Sequence, residues 1–205
     1  MRRFAVIVSA VLHPMLMPLG SVFVAWKFDW YVYGQASEEM MRMVFLVVAL
    51  STIAFPAINI LLLRWYGVLT SLETPKRKER NGPFISTFFF FVLGYYMLRK
   101  AILPSAIYAI MLGCMAALLI LSLVNLRWKI SAHAAGVAGL VGVVFGLFRI
   151  HDFANTGLMA IALLALGLVL TARLILKAHQ PAQVYAGAAV GFLCTFFSVS
   201  TGLFI

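Results

Sequence analysis

Polar residues interrupt this chain so seldom that its pattern is one of long apolar runs separated by short charged seams. Seven runs stand out, at about 4–26, 41–65, 84–98, 105–126, 131–148, 156–177 and 183–205. They lack the period-two alternation of barrel strands, and most approach the ~20 residues a helix needs to cross the hydrocarbon core. The pattern predicts an all-α fold, a polytopic transmembrane bundle of about seven spans, with residues 1–205 forming one integral membrane domain. Prolines punctuate it. Pro14 and Pro18 kink or break the first run, and Pro56 interrupts the second. Ser37 followed by Glu38 and Glu39 marks a helix start. The short third run, "FISTFFFFVLGYYML", carries Phe88–Phe91 as a lipid-facing or packing surface.

Composition agrees with the pattern. Hydrophobic residues make up 64% of the chain and charged residues 11%, against about a quarter charged in soluble domains. No separate soluble domain fits. The basic start "MRRF" and the apolar stretch behind it, with no small-residue cleavage site, read as an uncleaved first span rather than a signal peptide. Cys114 and Cys194 lie within apolar runs and read as buried thiols. The fifth and seventh runs are rich in small residues: Gly136, Gly139, Gly142 and Gly146 in one, the Gly187/Gly191 pair in the other. Such faces let helices approach closely, within one chain or across a homodimer.

The net charge of +10 changes the picture further. On a soluble chain it would suggest nucleic acid. Here the charge sits mostly in loops, so it reads as a positive-inside signal or a phosphate site, and no nucleic-acid partner is expected. Seven spans put the N-terminus and the loops after spans two, four and six on one side. That side holds Arg2, Arg3, Arg64, Lys76, Arg77, Lys78, Arg80, Arg127, Lys129, Arg173 and Lys177, the other Lys27, Arg42, Arg99, Lys100 and Arg149. The bias makes the first side cytoplasmic, in a bacterial-type inner membrane.

The same side gathers the chemistry. In "ISAHAAG", Ser131 stands where a helix begins and can cap it, which makes a natural anion site, and His133 follows in the first turn. Arg173 precedes His179 by six residues. A helix persisting to about Ala178 would separate them by ~9 Å along its axis, and a long arginine near a span's end would reach toward the interface. Cations that hold phosphate oxygens, one imidazole to attack phosphorus and another to protonate the leaving alkoxide suit phosphoryl transfer without a metal or cofactor.

These residues resemble the type-2 phosphatidic acid phosphatase superfamily, membrane-embedded lipid phosphatases with three motif blocks. The family's third block reads Ser-Arg, five residues, His, three residues, Asp; here Ala172-Arg173 is followed at that spacing by His179 and Gln183. Its second block, Pro-Ser-Gly-His, is matched by Ile130-Ser131-Ala132-His133. Its first, Lys, six residues, Arg-Pro, finds only "KRKERNGP", with Lys76, Arg80 and Pro83 at other spacing. The likeness covers mainly 127–192, about a third of the chain. It implies a nucleophilic His179, a general acid His133, and a phosphate grip from Arg173, Ser131, Arg80 and Lys76. Gln183 would orient His179. The departures are the serine missing before Arg173, seven spans rather than the usual six, and Gln183, which can bond an imidazole but cannot neutralise it.

The expectation is therefore a lipid phosphatase or phosphotransferase acting on a membrane lipid that bears phosphate or pyrophosphate. The alternative is a non-catalytic phospholipid-binding protein or lipid translocase. His13, deep in the first span, is either functional, as intramembrane polar groups tend to be, or a polar cap on the Pro14 kink. His151-Asp152 falls on the opposite side and reads as a loop pair. No spacing among the histidines supports a zinc site.

Overall fold

The computed structural model describes residues 1–71, 77–151 and 155–201. Among these, the chain is helical and has no strand. Among the described residues, seven helices or runs of successive helices are long and apolar enough to cross a membrane.

The first run is α1 (Arg2–Val11), a 3₁₀ turn (Pro14–Leu16) and α2 (Met17–Phe28). It is broken outright rather than gently kinked, and the break falls at Leu12–His13, just before Pro14. A short α3 (Trp30–Gln35) follows, capped by Asp29, whose Oδ1 accepts from the Tyr31 and Val32 N–H groups at 3.1 and 3.0 Å. The second run is α4 (Glu38–Ala49), a π-helical turn (Leu50–Ala54) and α5 (Phe55–Trp65). Ser37 caps α4, as its sequence context predicts: Oγ accepts from Met40 N–H at 3.2 Å. The π turn has a local cause. Pro56 offers no N–H and its ring crowds the carbonyl four residues earlier, so the wider turn relieves the clash.

The third span begins earlier than the apolar pattern predicts. A 3₁₀ turn (Lys78–Arg80) leads directly into α6 (Asn81–Leu98), which takes in Gly82 and Pro83. Proline is tolerated there because the first turn of a helix has no acceptor for its N–H groups anyway. Arg77 fixes this segment: Nη1 donates to the carbonyls of Asn125, at 3.0 Å, and Leu126. The fully buried Asn125 returns bonds to Arg77 O and Asn81 Oδ1 at 3.0 and 2.7 Å. A residue that reads as loop charge is thus a cap on the end of α7 (Ser105–Asn125).

The remaining spans are α8 (Ala132–His151), α9 (Thr156–Ile175) and α10 (Pro181–Ser200). α8 is the axis of the bundle, with 61% of its apolar stretch buried against 22–44% for the other spans. The outer faces stay apolar and exposed, as at Phe89, Ile161 and Leu164, which suits contact with lipid. Of the phenylalanine run, Phe89 faces outward while Phe91 is buried.

The small-residue faces of α8 and α10 meet each other within the chain. A methyl group built on Gly191 would fall on the backbone of Ala135, one on Gly187 on the Ser131 carbonyl, and one on Gly142 on Thr195. Thr195 Oγ1 donates across the seam to Gly139 O at 2.8 Å. Backbones this close gain dispersion contacts that lipid cannot replace. Both helices run in the same direction, so their N-termini lie side by side at one end of the bundle.

Candidate functional site

Ser131 and Gln183 join those two N-termini. The Ser131 N–H donates to Gln183 O at 3.2 Å, and Ser131 Oγ accepts from Ala134 N–H at 3.4 Å. Ser131 is fully buried and caps α8, as its position in the sequence predicts. Two helix N-termini converge here, each with the positive end of its dipole toward the same spot.

Three basic groups surround that spot. Arg80 is buried, donates from Nη1 to Ile130 O at 3.1 Å and lies over the Phe84 ring at 5.0 Å. Arg173 Nη1 donates to Ser9 Oγ at 3.3 Å, tying α9 to α1. Lys129 Nζ donates to Ala178 O at 3.1 Å, strapping the loop before α8 to the loop before α10. Burial, then Arg80, then Arg173 lower the Lys129 pKa from its ordinary value.

The sequence places His179 at the end of a helix continuing to about Ala178, but α9 ends earlier. Lys177 adopts the left-handed region at φ 50°, Ala178 N–H bonds Arg173 O at 3.2 Å, and Lys177 N–H bonds Leu174 O at 2.9 Å. This is a Schellman close with lysine where glycine usually stands. It reverses the chain immediately after Leu176, so a turn, rather than continued helical rise, sets the position of His179.

Gln183 fixes the chemistry of His179. Its Oε1 accepts from the Gln180 backbone N–H at 3.1 Å in a capping box at the start of α10. A backbone N–H can only donate, so the amide end that meets it must be the oxygen. The same oxygen lies 3.2 Å from His179 Nδ1, so Nδ1 carries the hydrogen in the neutral ring and Nε2 keeps its lone pair. Burial first, then the positive charges of Arg80, Lys129 and Arg173, push the His179 pKa down to about 4, against a smaller upward pull from the Gln183 bond. The imidazole is therefore unprotonated at neutral pH.

A solution consequence follows from that shift. An acylating reagent such as diethyl pyrocarbonate needs the free base. The modification rate at His179, followed on its peptide by mass spectrometry, should hold from pH 7 down to about 5 and halve only near 4. Inorganic phosphate in the site offsets the surrounding cations and moves that midpoint up. A midpoint at the ordinary histidine value would mean the cluster does not act on this ring.

His133 lies in the first turn of α8, and its titratable neighbours are Arg173, His13 and Arg80. The Ser9 backbone hydrogen-bonds its ring. Of the residues singled out by sequence, Arg80, Ser131, His133, Arg173, His179 and Gln183 come together; Lys76 lies outside the described residues. Two members escaped that selection. Lys129 reads as one more loop charge, and no spacing distinguishes it. His13 takes the capping role of its two sequence readings: Nδ1 accepts from Met15 N–H at 3.3 Å, and the ring meets His133 with centroids 5.2 Å apart. Its signal in the sequence is a polar side chain at membrane depth.

On the opposite side, His151 Nδ1 lies 2.5 Å from Asp29 Oδ2 and packs on Tyr31. Asp152, the neighbour expected to pair with it, lies outside the described residues. Among the described residues, no three His, Cys, Asp or Glu side chains are grouped to share a metal ion. No family model matches this chain, and neither a curated protein nor a solved structure resembles it significantly.

Proposed function

We propose that this multi-pass membrane protein is a lipid phosphatase or phosphotransferase. Its substrate is a bilayer lipid bearing phosphate or pyrophosphate. The observation that carries this reading is the set of Arg80, Ser131, His133, Arg173 and His179 around the paired N-termini of α8 and α10. Arg80, Arg173 and the two helix ends bind the non-bridging oxygens, and Lys129 adds charge from the loop. The negative charge of the bound phosphate draws a proton onto the bare nitrogen of His133; His179 Nε2 then attacks phosphorus, the P–O bond to the lipid breaks, and His133 delivers that proton to the departing oxygen. Water then displaces the phosphoryl group from His179, with His133 taking its proton. The likeness to type-2 phosphatidic acid phosphatases assigns the same roles. The site faces the cytoplasm of a bacterial-type inner membrane, a placement supported by the basic residues on that side.

The assay is phosphate release from phosphatidic acid, a polyprenyl pyrophosphate and a lipid A-type phosphate in detergent. Release from none of them rules out the enzyme and favours the second reading, a phospholipid-binding protein or translocase built on the same site. One feature supports that second reading: the Gln183 amide orients His179 but carries no charge to offset the imidazolium of a phosphohistidine.

Gln183→Glu separates the two. Glutamate keeps the capping box and the side-chain length, and adds a carboxylate beside His179. In an enzyme it should raise turnover by about tenfold or more, since loss of the carboxylate beside a catalytic histidine costs on the order of 10⁴ in the Ser-His-Asp case. A binding protein gains no turnover from it.

A further inference from the structure

Pro14 accounts for a break in the first span, but not for what the break carries. His13 takes extended backbone (φ −70°, ψ 137°), as a residue before proline prefers. With Nδ1 accepting from Met15 N–H, the hydrogen of the neutral ring sits on Nε2. The second span is irregular at the same level. Its π turn brings the fully buried Thr52 against the break, where Oγ1 donates to Met15 O at 3.4 Å. Non-helical backbone at membrane depth persists only where it is buried in protein or lines a cavity. Here it packs on α8, with Pro14 Cα 3.0 Å from where a Gly136 methyl would lie. The His13 and His133 rings meet edge to face, their planes at 81°.

We propose that His13 is a positioning residue for His133. The broken span presses its ring against the His133 imidazole and holds that imidazole in one orientation and one tautomer for proton transfer. The Ser9 backbone bond selects the nitrogen that carries the hydrogen. The T-shaped contact prevents the ring from turning over and exchanging its nitrogens. Capping alone does not need an imidazole, because asparagine or serine supplies an acceptor for Met15 N–H. The catalytic part of this assignment rests on the reading of His133 as the acid.

His13→Asn tests it in the full chain, with His13→Ser as a second capping variant. With ¹⁵N-labelled histidine in detergent micelles, wild-type His133 should show one protonated and one bare ring nitrogen. Both variants should move the two signals toward their average. An unchanged single tautomer overturns the proposal, as does loss of folded protein in both variants, which would mean the ring serves the fold. This readout needs no turnover, so a wild type that releases no phosphate defeats the enzymatic reading without touching it. Where phosphate is released, His13→Asn should lower kcat by about 10²-fold with KM within about twofold. His13→Asn combined with His133→Ala should then be no slower than His133→Ala alone. A wild-type rate in His13→Asn, or an additive loss in the double variant, also overturns it.

Discussion

His179→Ala removes the proposed nucleophile and should cut phosphate release from a lipid phosphate by about 10⁴-fold or more, while the protein stays folded. The asymmetry between chemistry and stability follows from the surroundings of the ring. His179 bonds Gln183 Oε1, but that oxygen keeps its bond to Gln180 N–H when the imidazole is gone, so no helix end is left unsatisfied. The neighbouring cations also disfavour a charged ring, so the fold gains nothing from its protonation. Binding of a non-hydrolysed anion such as vanadate or a lipid phosphonate should survive the change, because Arg80, Arg173 and the helix ends remain. Phosphate transfer that continues at the wild-type rate would remove His179 from the mechanism. Acid-labile phosphate trapped on the His179 peptide of the wild type is the direct complement.

Gly191→Val should be the most damaging single change to the fold. Its Cβ would meet the carbonyl oxygen, carbonyl carbon and Cα of Ala135, all backbone of α8 and none able to turn aside. The two helices must separate. Overpacking costs about 1–3 kcal/mol, sometimes more, and separation also strains the Ser131 N–H bond to Gln183 and the Thr195 bond to Gly139. A loss of about 3 kcal/mol or more is expected, read as a lower unfolding midpoint in detergent, together with loss of anion binding. Gly167→Val is the control. Its Cβ meets nothing within 4 Å, so only the helix preference changes, by less than about 1 kcal/mol. Equal midpoints for the two variants would show that the α8–α10 contact is not a tight one.

The spans were legible because one solvent decides them: an apolar run of sufficient length has few alternatives to a membrane helix. Their ends were less so. The "KERNGP" segment reads as loop because proline and glycine usually mark turns, yet at the start of α6 proline costs nothing. Arg173 and His179 were found by spacing, although the spacing acts through a left-handed Lys177 rather than a continued helix. Lys129 and Arg77 could not be told apart by sequence, since both are basic residues in short loops. One straps the loop before α8 to the loop before α10, and the other holds the end of α7. His13 stood out by its depth, but its partner His133 lies 120 residues away, and no local pattern encodes that contact.

The side-by-side start of α8 and α10 has a consequence for biogenesis. α8 emerges from the ribosome and can insert well before α10 exists. Until α10 joins it, the Ser131 N–H has no Gln183 carbonyl to meet, and Gly187 and Gly191 are not yet there to fill the seam. Arg80, His133 and Arg173 precede the element that organises them. The basic cluster is thus completed in one late step of membrane integration, and a chain stalled before Pro181 would carry Arg80, His133 and Arg173 without the helix end that gathers them.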